Sequence, residues 1–312
     1  MTRWLFAVLL AACPVWAQVE LNPPRSPSVI TVDVNVVNVL CTVRDRKGAF
    51  VKDLQKTDFQ MREDGKPQEI RYFSREVDTP LTVALMLDVS GSVANILGIE
   101  KAAAGRFFDE VLRPTDKALF VGFAQTTAVW QDLTGSKQEL SSALDAAGPF
   151  VRTPTSEFQP RGGTLLYDAV SLVASQKLAR LPGRKTMVII TDGLDNGSLV
   201  TVEDAMKAAQ QADAVVYAIH YEDQGYSDRY AGAGETALRH IAEPTGGRTF
   251  HVSASLPLEA IFDIIREEMR SQYAIGFTST NTAKDGSYRR LELKTTRSGL
   301  KTQAREGYYA PR

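Results

Sequence analysis

Two apolar runs mark the middle of the chain, and each ends at an acidic residue. Leu81–Leu87 leads into Asp88, and Met187–Ile190 leads into Thr191-Asp192. Strands that are apolar on both faces are typical of a parallel sheet that helices cover on both sides. The two runs therefore predict central strands of such a sheet.

Further elements surround these two strands. Apolar residues recur at a helical spacing in residues 97–112, 137–147, 165–179, 202–212, 235–242 and 256–272, and strand patterns occupy residues 118–123, 128–130, 214–220 and 249–252. Strands and helices that alternate along the chain are typical of α/β folds. Residues 81–272 are therefore predicted to form a doubly wound, mostly parallel sheet of the Rossmann-like kind.

Both ends of the chain carry strand patterns without helices. These cover residues 30–43, 59–61 and 70–73 before the α/β segment, and 273–278 and 291–295 after it. The apolar phase changes at Val36-Val37, which predicts a β-bulge or a strand that changes sheets. Forty residues are too few to fold alone. We therefore expect residues 26–80 and 273–312 to form one small β-sandwich into which the α/β domain is inserted.

The first seventeen residues are typical of a signal peptide. Arg3 precedes an apolar run that leads to Val15-Trp16-Ala17, with small or apolar side chains where signal peptidase cleaves. Cleavage after Ala17 would leave residues 18–25 as a linker. Alternatively, Leu10-Ala11-Ala12-Cys13 resembles a bacterial lipoprotein box, which would attach Cys13 to lipid and tether the protein to a membrane. Both interpretations predict export to the periplasm, the cell envelope or the medium.

Composition excludes several classes of protein. The 312 residues include 36 Lys and Arg against 37 Asp and Glu, and 44% are hydrophobic. This balance disfavours a basic nucleic-acid-binding protein and a disordered chain. The other cysteine, Cys41, lies on a predicted apolar strand face and is expected to be a buried, inert thiol. The two cysteines are too few for a disulfide-stapled scaffold and lack the paired spacing of a thiolate zinc site, and the three histidines are scattered.

The candidate chemistry lies at the ends of the two apolar strands. Asp88, Ser90 and Ser92 leave the first strand at alternate positions, and Asp192 follows the second. Carboxyl ends of parallel strands share one edge of a sheet, where ligands bind. Carboxylates and hydroxyls without histidine or cysteine suit Mg²⁺ or Mn²⁺, which would offset the repulsion between the two aspartates. Helix capping is the alternative role for such residues.

Three short motifs carry a resemblance to a known family. Asp88-x-Ser90-x-Ser92, Gly162-Gly163-Thr164 and Thr191-Asp192-Gly193 resemble the metal-ion-dependent adhesion site of von Willebrand factor type A domains. The resemblance implies that the two serines and Thr164 bind the metal through hydroxyl oxygens, and that the two aspartates bind largely through water. It also implies one coordination position left open for an acidic group of a partner.

The flanking segments resemble exported bacterial proteins called VWFA-related domain proteins, which are abundant in acidobacteria. The residues that carry this resemblance are Asp58-Phe59, Glu63-Asp64-Gly65-Lys66, Gln68, Phe73 and Arg305-Glu306-Gly307-Tyr308-Tyr309. The resemblance then covers nearly the whole mature chain. It implies an architecture rather than an activity, because this family has no well-defined biochemical activity.

These observations predict a binding protein rather than an enzyme. The sequence has no Gly-x-Ser-x-Gly elbow, Walker loop or dinucleotide-binding glycine motif, and no catalytic residue is assigned. The leading hypothesis is a cell-envelope adhesion module in which Mg²⁺ bridges the site to a carboxylate of a protein partner. The alternatives are a structural or assembly protein with a fold-stabilising metal, and a metal-assisted hydrolase.

Two loops at the predicted metal edge are candidates for partner contacts. They cover residues 149–161 and 222–234, and the second contains Tyr226, Arg229 and Tyr230. Loops of this length are often functional, although an ordinary surface loop is the alternative interpretation. The sequence does not indicate the oligomeric state or the identity of the partner.

Overall fold

The computed structural model describes residues 36–75, 79–90, 97–148, 163–221 and 231–312, all within one compact unit, Asn35–Arg312. Its strands are β1 (Val36–Arg44), β2 (Phe59–Glu63), β3 (Lys66–Gln68), β4 (Ile70–Arg75), β5 (Leu81–Asp88), β6 (Lys117–Phe123), β7 (Thr127–Thr134), β8 (Arg184–Thr191), β9 (Ala214–His220), β10 (Arg248–His251), β11 (Tyr273–Thr278), β12 (Tyr288–Thr295), β13 (Lys301–Ala304) and β14 (Gly307–Tyr309). Its α-helices are α1 (Leu97–Val111), α2 (Lys137–Ala146), α3 (Leu166–Leu172), α4 (Val202–Gln211), α5 (Ala231–Ala242) and α6 (Leu258–Arg270). One π-helical turn, Val173–Leu178, extends α3, and short 3₁₀ turns cover Lys56–Asp58 and Glu243–Thr245.

The central sheet has six described strands in the order β10-β9-β8-β5-β6-β7. All neighbours are parallel except β6 and the edge strand β7, which are antiparallel. Every residue of β5 and β8 is buried. Along β5, Leu85 and Leu87 enter the core beneath α1, α2 and α6, whereas Ala84 and Met86 enter the core beneath α3, α4 and α5. The alternation of a strand therefore fills both cores, and the predicted doubly wound α/β fold is confirmed.

Two smaller antiparallel sheets combine both ends of the described chain. Their orders are β13-β1-β11-β4 and β14-β12-β2-β3. Both sheets contribute to one core, in which the rings of Phe59 and Tyr273 lie 5.4 Å apart. The N- and C-terminal segments therefore form the predicted β-sandwich jointly. Cys41 is buried in this core, and burial raises the pKa of its thiol.

Several predicted ends differ from the structure. Strand β8 begins at Arg184 rather than at the predicted Met187. The polar residues Arg184 and Lys185 can be buried in the strand because their side chains donate to the carbonyl oxygens of Met269 and Leu181. Val37 is buried and Val36 is 42% exposed, as the later apolar phase of β1 predicts. Residues 30–35, on the other side of the predicted phase change, lie outside the described residues.

A buried ion pair links the sandwich to the α/β segment. Glu268 on α6 is 1% exposed and accepts a hydrogen bond of 2.6 Å from Arg44 on β1. Gln303 on β13 donates to the other carboxylate oxygen at 2.9 Å, and Arg248 on β10 lies 3.7 Å away. Burial raises the pKa of Glu268, and the two arginines oppose this increase.

The predicted signal peptide and the linker of residues 18–25 lie outside the described residues, as does Cys13. Within the part of the chain that the structure describes, no helix combines the length and apolar character needed to span a bilayer.

Candidate metal centre

Two aspartates meet at the carboxyl edge of the central sheet. Asp88 is the last residue of β5, and Asp192 directly follows β8, the strand that pairs with β5. Asp88 is fully buried, whereas Asp192 is half-buried. Burial is the main cause of the raised pKa of Asp88, and repulsion from Asp192 adds to it, so the charges of the two carboxylates act on each other.

Both oxygens of the Asp88 carboxylate are held in place. The hydroxyl of Thr191 donates to Oδ2 at 2.6 Å, and the main-chain amide of Ser90 donates to Oδ1 at 2.9 Å. The Thr191 hydroxyl in turn accepts a bond of 3.1 Å from the amide of Gly193. The residues at and just after the ends of the two strands therefore hold the Asp88 carboxylate in place, and some of them are also predicted ligands.

The surroundings of Asp88 disfavour the ionised form of its carboxyl group. Burial raises its pKa to about 6, although hydrogen bonds from Thr191 and Ser90 oppose the increase and repulsion from Asp192 adds to it. A nearby cation favours the ionised form of a carboxylate. Divalent metal at this edge would therefore relieve the electrostatic conflict that the two aspartates create.

Thr164 reaches the same edge from the start of α3. Its side chain is largely buried, and its carbonyl oxygen accepts a bond of 2.9 Å from Asn196, four residues after Asp192. The next residue, Leu165, donates to the carbonyl oxygen of Ala124, just beyond β6. A Cβ at Gly163 would lie 2.2 Å from the Asn196 carbonyl oxygen, so glycine permits this close approach.

The turn after Asp192 packs against the start of α5. Gly193 has a φ of +76°, and a Cβ there would lie 2.5 Å from the carbonyl oxygen of Gly234. Farther along the turn, Asp195 accepts hydrogen bonds from the amide of Tyr167 and the hydroxyl of Ser198. These contacts attach the turn to both α3 and α5, which positions Asp192.

Glu100 is a buried acidic residue that the sequence analysis missed. It lies on α1, is 1% exposed, and neither carboxylate oxygen has a hydrogen-bond partner among the described residues. Burial, together with repulsion from Asp88, raises its pKa to about 9. A signal was available, because Glu100 occupies the apolar stripe of α1 together with Leu97, Ala104 and Phe107. A buried acid beside Asp88 that has no hydrogen-bond partner in the part of the chain that the structure describes is a second observation that fits a cation at this edge.

The structure describes four of the five predicted ligands. Asp88, Ser90, Thr164 and Asp192 lie at the same edge, and their carboxylate and hydroxyl oxygens suit a hard divalent cation. Their role as ligands stays a prediction. The other predicted site residues lie outside the described residues: Ser92, Tyr226, Arg229, Tyr230 and Cys13.

Comparisons with known proteins agree with this architecture. A family model described as the von Willebrand factor type A domain matches residues 82–264, more than half of the chain. A search of curated proteins gave no match.

Similar solved structures include BatB from Bacteroides thetaiotaomicron, which is 20% identical with a TM-score of 0.47 over 61% of this chain and 97% of that chain. Proximal thread matrix protein 1 from the mussel byssus is 16% identical with a TM-score of 0.49, over 74% of this chain and 51% of that chain. The vWF domain of the pilus tip protein Mfa5 from Porphyromonas gingivalis is 15% identical with a TM-score of 0.45, over 61% of this chain and 94% of that chain.

Proposed function

Because the chain belongs to the von Willebrand factor type A domain family, we propose that it is a divalent-cation-dependent protein-binding module. In this proposal, Mg²⁺ or Mn²⁺ binds at the carboxyl edge of the central sheet and bridges it to an acidic group of a partner protein. The observation that carries the proposal is the state of Asp88, a buried carboxylate that Thr191 and Ser90 hold in place and Asp192 repels.

Five oxygen-bearing side chains are proposed as ligands of such a cation. The proposed ligands are the hydroxyls of Ser90, Ser92 and Thr164 and the carboxylates of Asp88 and Asp192. The bound cation would supply positive charge and a coordination position for a partner carboxylate. The protein's own contribution is orientation, because Thr191 fixes Asp88 and the main chain of Asn196 holds Thr164. We propose a binding role for this site rather than a catalytic one.

Described residues on both sides of residues 222–230, the larger part of the second predicted partner loop, lie at this edge. The amide of Tyr221 donates to the carbonyl oxygen of Thr191 at 3.1 Å, immediately before residues 222–230. On the other side of that segment, Gly234 packs on the Asp192-Gly193 turn. Tyr221 and Gly234, which lie on either side of the segment, therefore both contact residues next to or at Asp192. This placement supports a role for Tyr226, Arg229 and Tyr230 in partner recognition.

We also propose that the protein acts in the cell envelope after export. The proposal depends on the signal-peptide pattern of residues 1–17, with lipid attachment at Cys13 as the alternative that would tether the protein to a membrane. Labelling with a palmitate analogue distinguishes the two, because only the lipoprotein incorporates label and loses it in Cys13→Ser.

An envelope pull-down tests the binding role. Wild-type protein in Mg²⁺ is compared with wild type in EDTA, with Asp192→Ala in Mg²⁺ and with Asp145→Ala, which removes an exposed carboxylate on α2. We expect the same partner to be lost in EDTA and in Asp192→Ala and retained by Asp145→Ala. Retention in EDTA and in Asp192→Ala would contradict the proposal and favour a structural role without metal-dependent capture.

A further inference from the structure

Two histidines that are far apart in the sequence lie side by side next to the candidate metal centre, at the same carboxyl edge of the sheet. His220 ends β9, His251 ends β10, and the two residues are direct partners in the parallel register. Their Nδ1 atoms are 3.1 Å apart, and their ring planes are tilted by 52°. His220 is buried, whereas His251 is exposed. The pair is therefore held by a rigid sheet and is open to solvent on one side.

The other ring nitrogen of His220 determines which atom faces His251. Its Nε2 lies 3.0 Å from the main-chain carbonyl oxygen of Asp192. A carbonyl oxygen only accepts hydrogen bonds, so Nε2 carries a proton, and a neutral ring would then turn its Nδ1 lone pair toward His251. A histidine that donates its second nitrogen to a carbonyl oxygen is the usual arrangement behind a metal-bound imidazole.

A carboxylate completes the cluster. One carboxylate oxygen of Glu235, near the start of α5, and one nitrogen of each histidine all lie within 4.8 Å of one another. Glu235 also accepts a bond of 2.7 Å from Arg239, one turn along the helix. That contact orients the Glu235 carboxylate and involves only one of its two oxygens.

The spacing suits a transition metal. Zinc binds imidazole nitrogen at about 2.0 Å, and two such nitrogens 3.1 Å apart would subtend an angle of about 100° at the metal, close to the tetrahedral value. Two histidines and one glutamate leave the fourth position of a tetrahedral ion open. This donor set differs from the oxygen donors around Asp88, which suit harder cations.

We propose that His220, His251 and Glu235 form a second metal site, for Zn²⁺ or a similar borderline transition-metal ion. The site would lie beside Asp192 at the same carboxyl edge of the sheet, because His220 pairs with Thr191 and contacts the main chain of Asp192. It does not require a cation at Asp88, so the proposal stands apart from the proposed binding function.

Calorimetry with Zn²⁺ tests this site. The chain is prepared without a polyhistidine tag, and excess Mg²⁺ is present to occupy the oxygen donors. Wild type is compared with His251→Gln, which alters an exposed ligand and so preserves the fold, and with Glu235→Gln. The matched control is His240→Gln, because His240 is a half-exposed histidine on α5 outside the cluster.

We expect wild type and His240→Gln to bind one Zn²⁺ per chain under these conditions. His251→Gln should weaken this binding by at least about 100-fold, and Glu235→Gln by at least about 10-fold. Asp88→Ala should retain it. The proposal would be overturned by equal Zn²⁺ affinity in wild type and His251→Gln, or by loss of binding in Asp88→Ala. Absence of Zn²⁺ binding to wild type would show that the two rings form only a hydrogen bond.

Discussion

Replacing Glu100 with glutamine would remove a buried acidic group at nearly constant shape. Glu100 is 1% exposed and has no hydrogen-bond partner among the described residues. Burial and the nearby Asp88 raise its pKa from 4.5 to about 9. In metal-free protein, folding therefore forces this carboxyl group into its neutral form over a wide pH range.

The sign of the effect follows from the proton balance. Between pH 4.5 and about 9, the unfolded chain ionises Glu100 while the folded protein keeps it protonated, so stability falls as the pH rises. At pH 7 the accumulated cost is about 3 kcal/mol, taking about 1.4 kcal/mol for each pH step above 4.5. Glutamine does not ionise and escapes this cost. Glu100→Gln should therefore be more stable than wild type by up to about 3 kcal/mol at pH 7, or about 5 °C in Tm for a chain of this size.

Urea unfolding in EDTA at pH 7 and pH 4.5 measures this difference. The matched control is Asp109→Asn, which neutralises an exposed carboxylate on the same helix. The extra stability of Glu100→Gln over wild type should be present at pH 7 and vanish at pH 4.5. It should shrink when Mg²⁺ replaces EDTA, because a cation favours the ionised form of Glu100 in wild type. Two results would contradict a raised pKa at Glu100: a variant less stable than wild type at pH 7 in EDTA, or extra stability that persists at pH 4.5.

Two further substitutions test contacts that support the site and the fold. Glu268→Ala should lower the free energy of unfolding by about 3 kcal/mol, because Arg44 and Arg248 would lose their buried partner. Urea unfolding measures this loss of stability, and a loss below about 1 kcal/mol would contradict the prediction. Gly163→Ala should weaken Mg²⁺ binding by at least about 10-fold, because the added Cβ would clash with the Asn196 carbonyl oxygen and displace the neighbouring Thr164 from the Asn196 amide. Calorimetry checks this, with Gly148→Ala as the control at a glycine that has open space around it, and unchanged affinity would count against the close approach.

The sequence predicts the central sheet well because its signals are local. Every residue of β5 and β8 is buried, so their apolar runs identify them without knowledge of their neighbours. The strands β3, β13 and β14 were not predicted. They have three or four residues each, and β3 and β13 are largely polar, so their pairing depends on the sheets that they join rather than on their own pattern.

The candidate site was predictable only where residues leave a strand. Asp88 and Asp192 could be placed at one edge because the strands that carry them were recognisable. The pairing of His220 with His251 depends on the register between β9 and β10, which no local pattern reveals. Glu100 was overlooked for a different reason, because its position on a buried helix stripe becomes meaningful only once Asp88 is known to face it.

Calorimetric titration with Mg²⁺ tests the proposed metal centre most directly. We expect the wild-type chain and Asp145→Ala to bind one Mg²⁺, and Asp88→Ala and Asp192→Ala each to bind it at least about 100-fold more weakly. Circular dichroism identifies any variant that has lost its fold, and the two aspartate variants serve as independent checks. Mg²⁺ binding of equal strength in wild type and in folded Asp88→Ala would contradict the account.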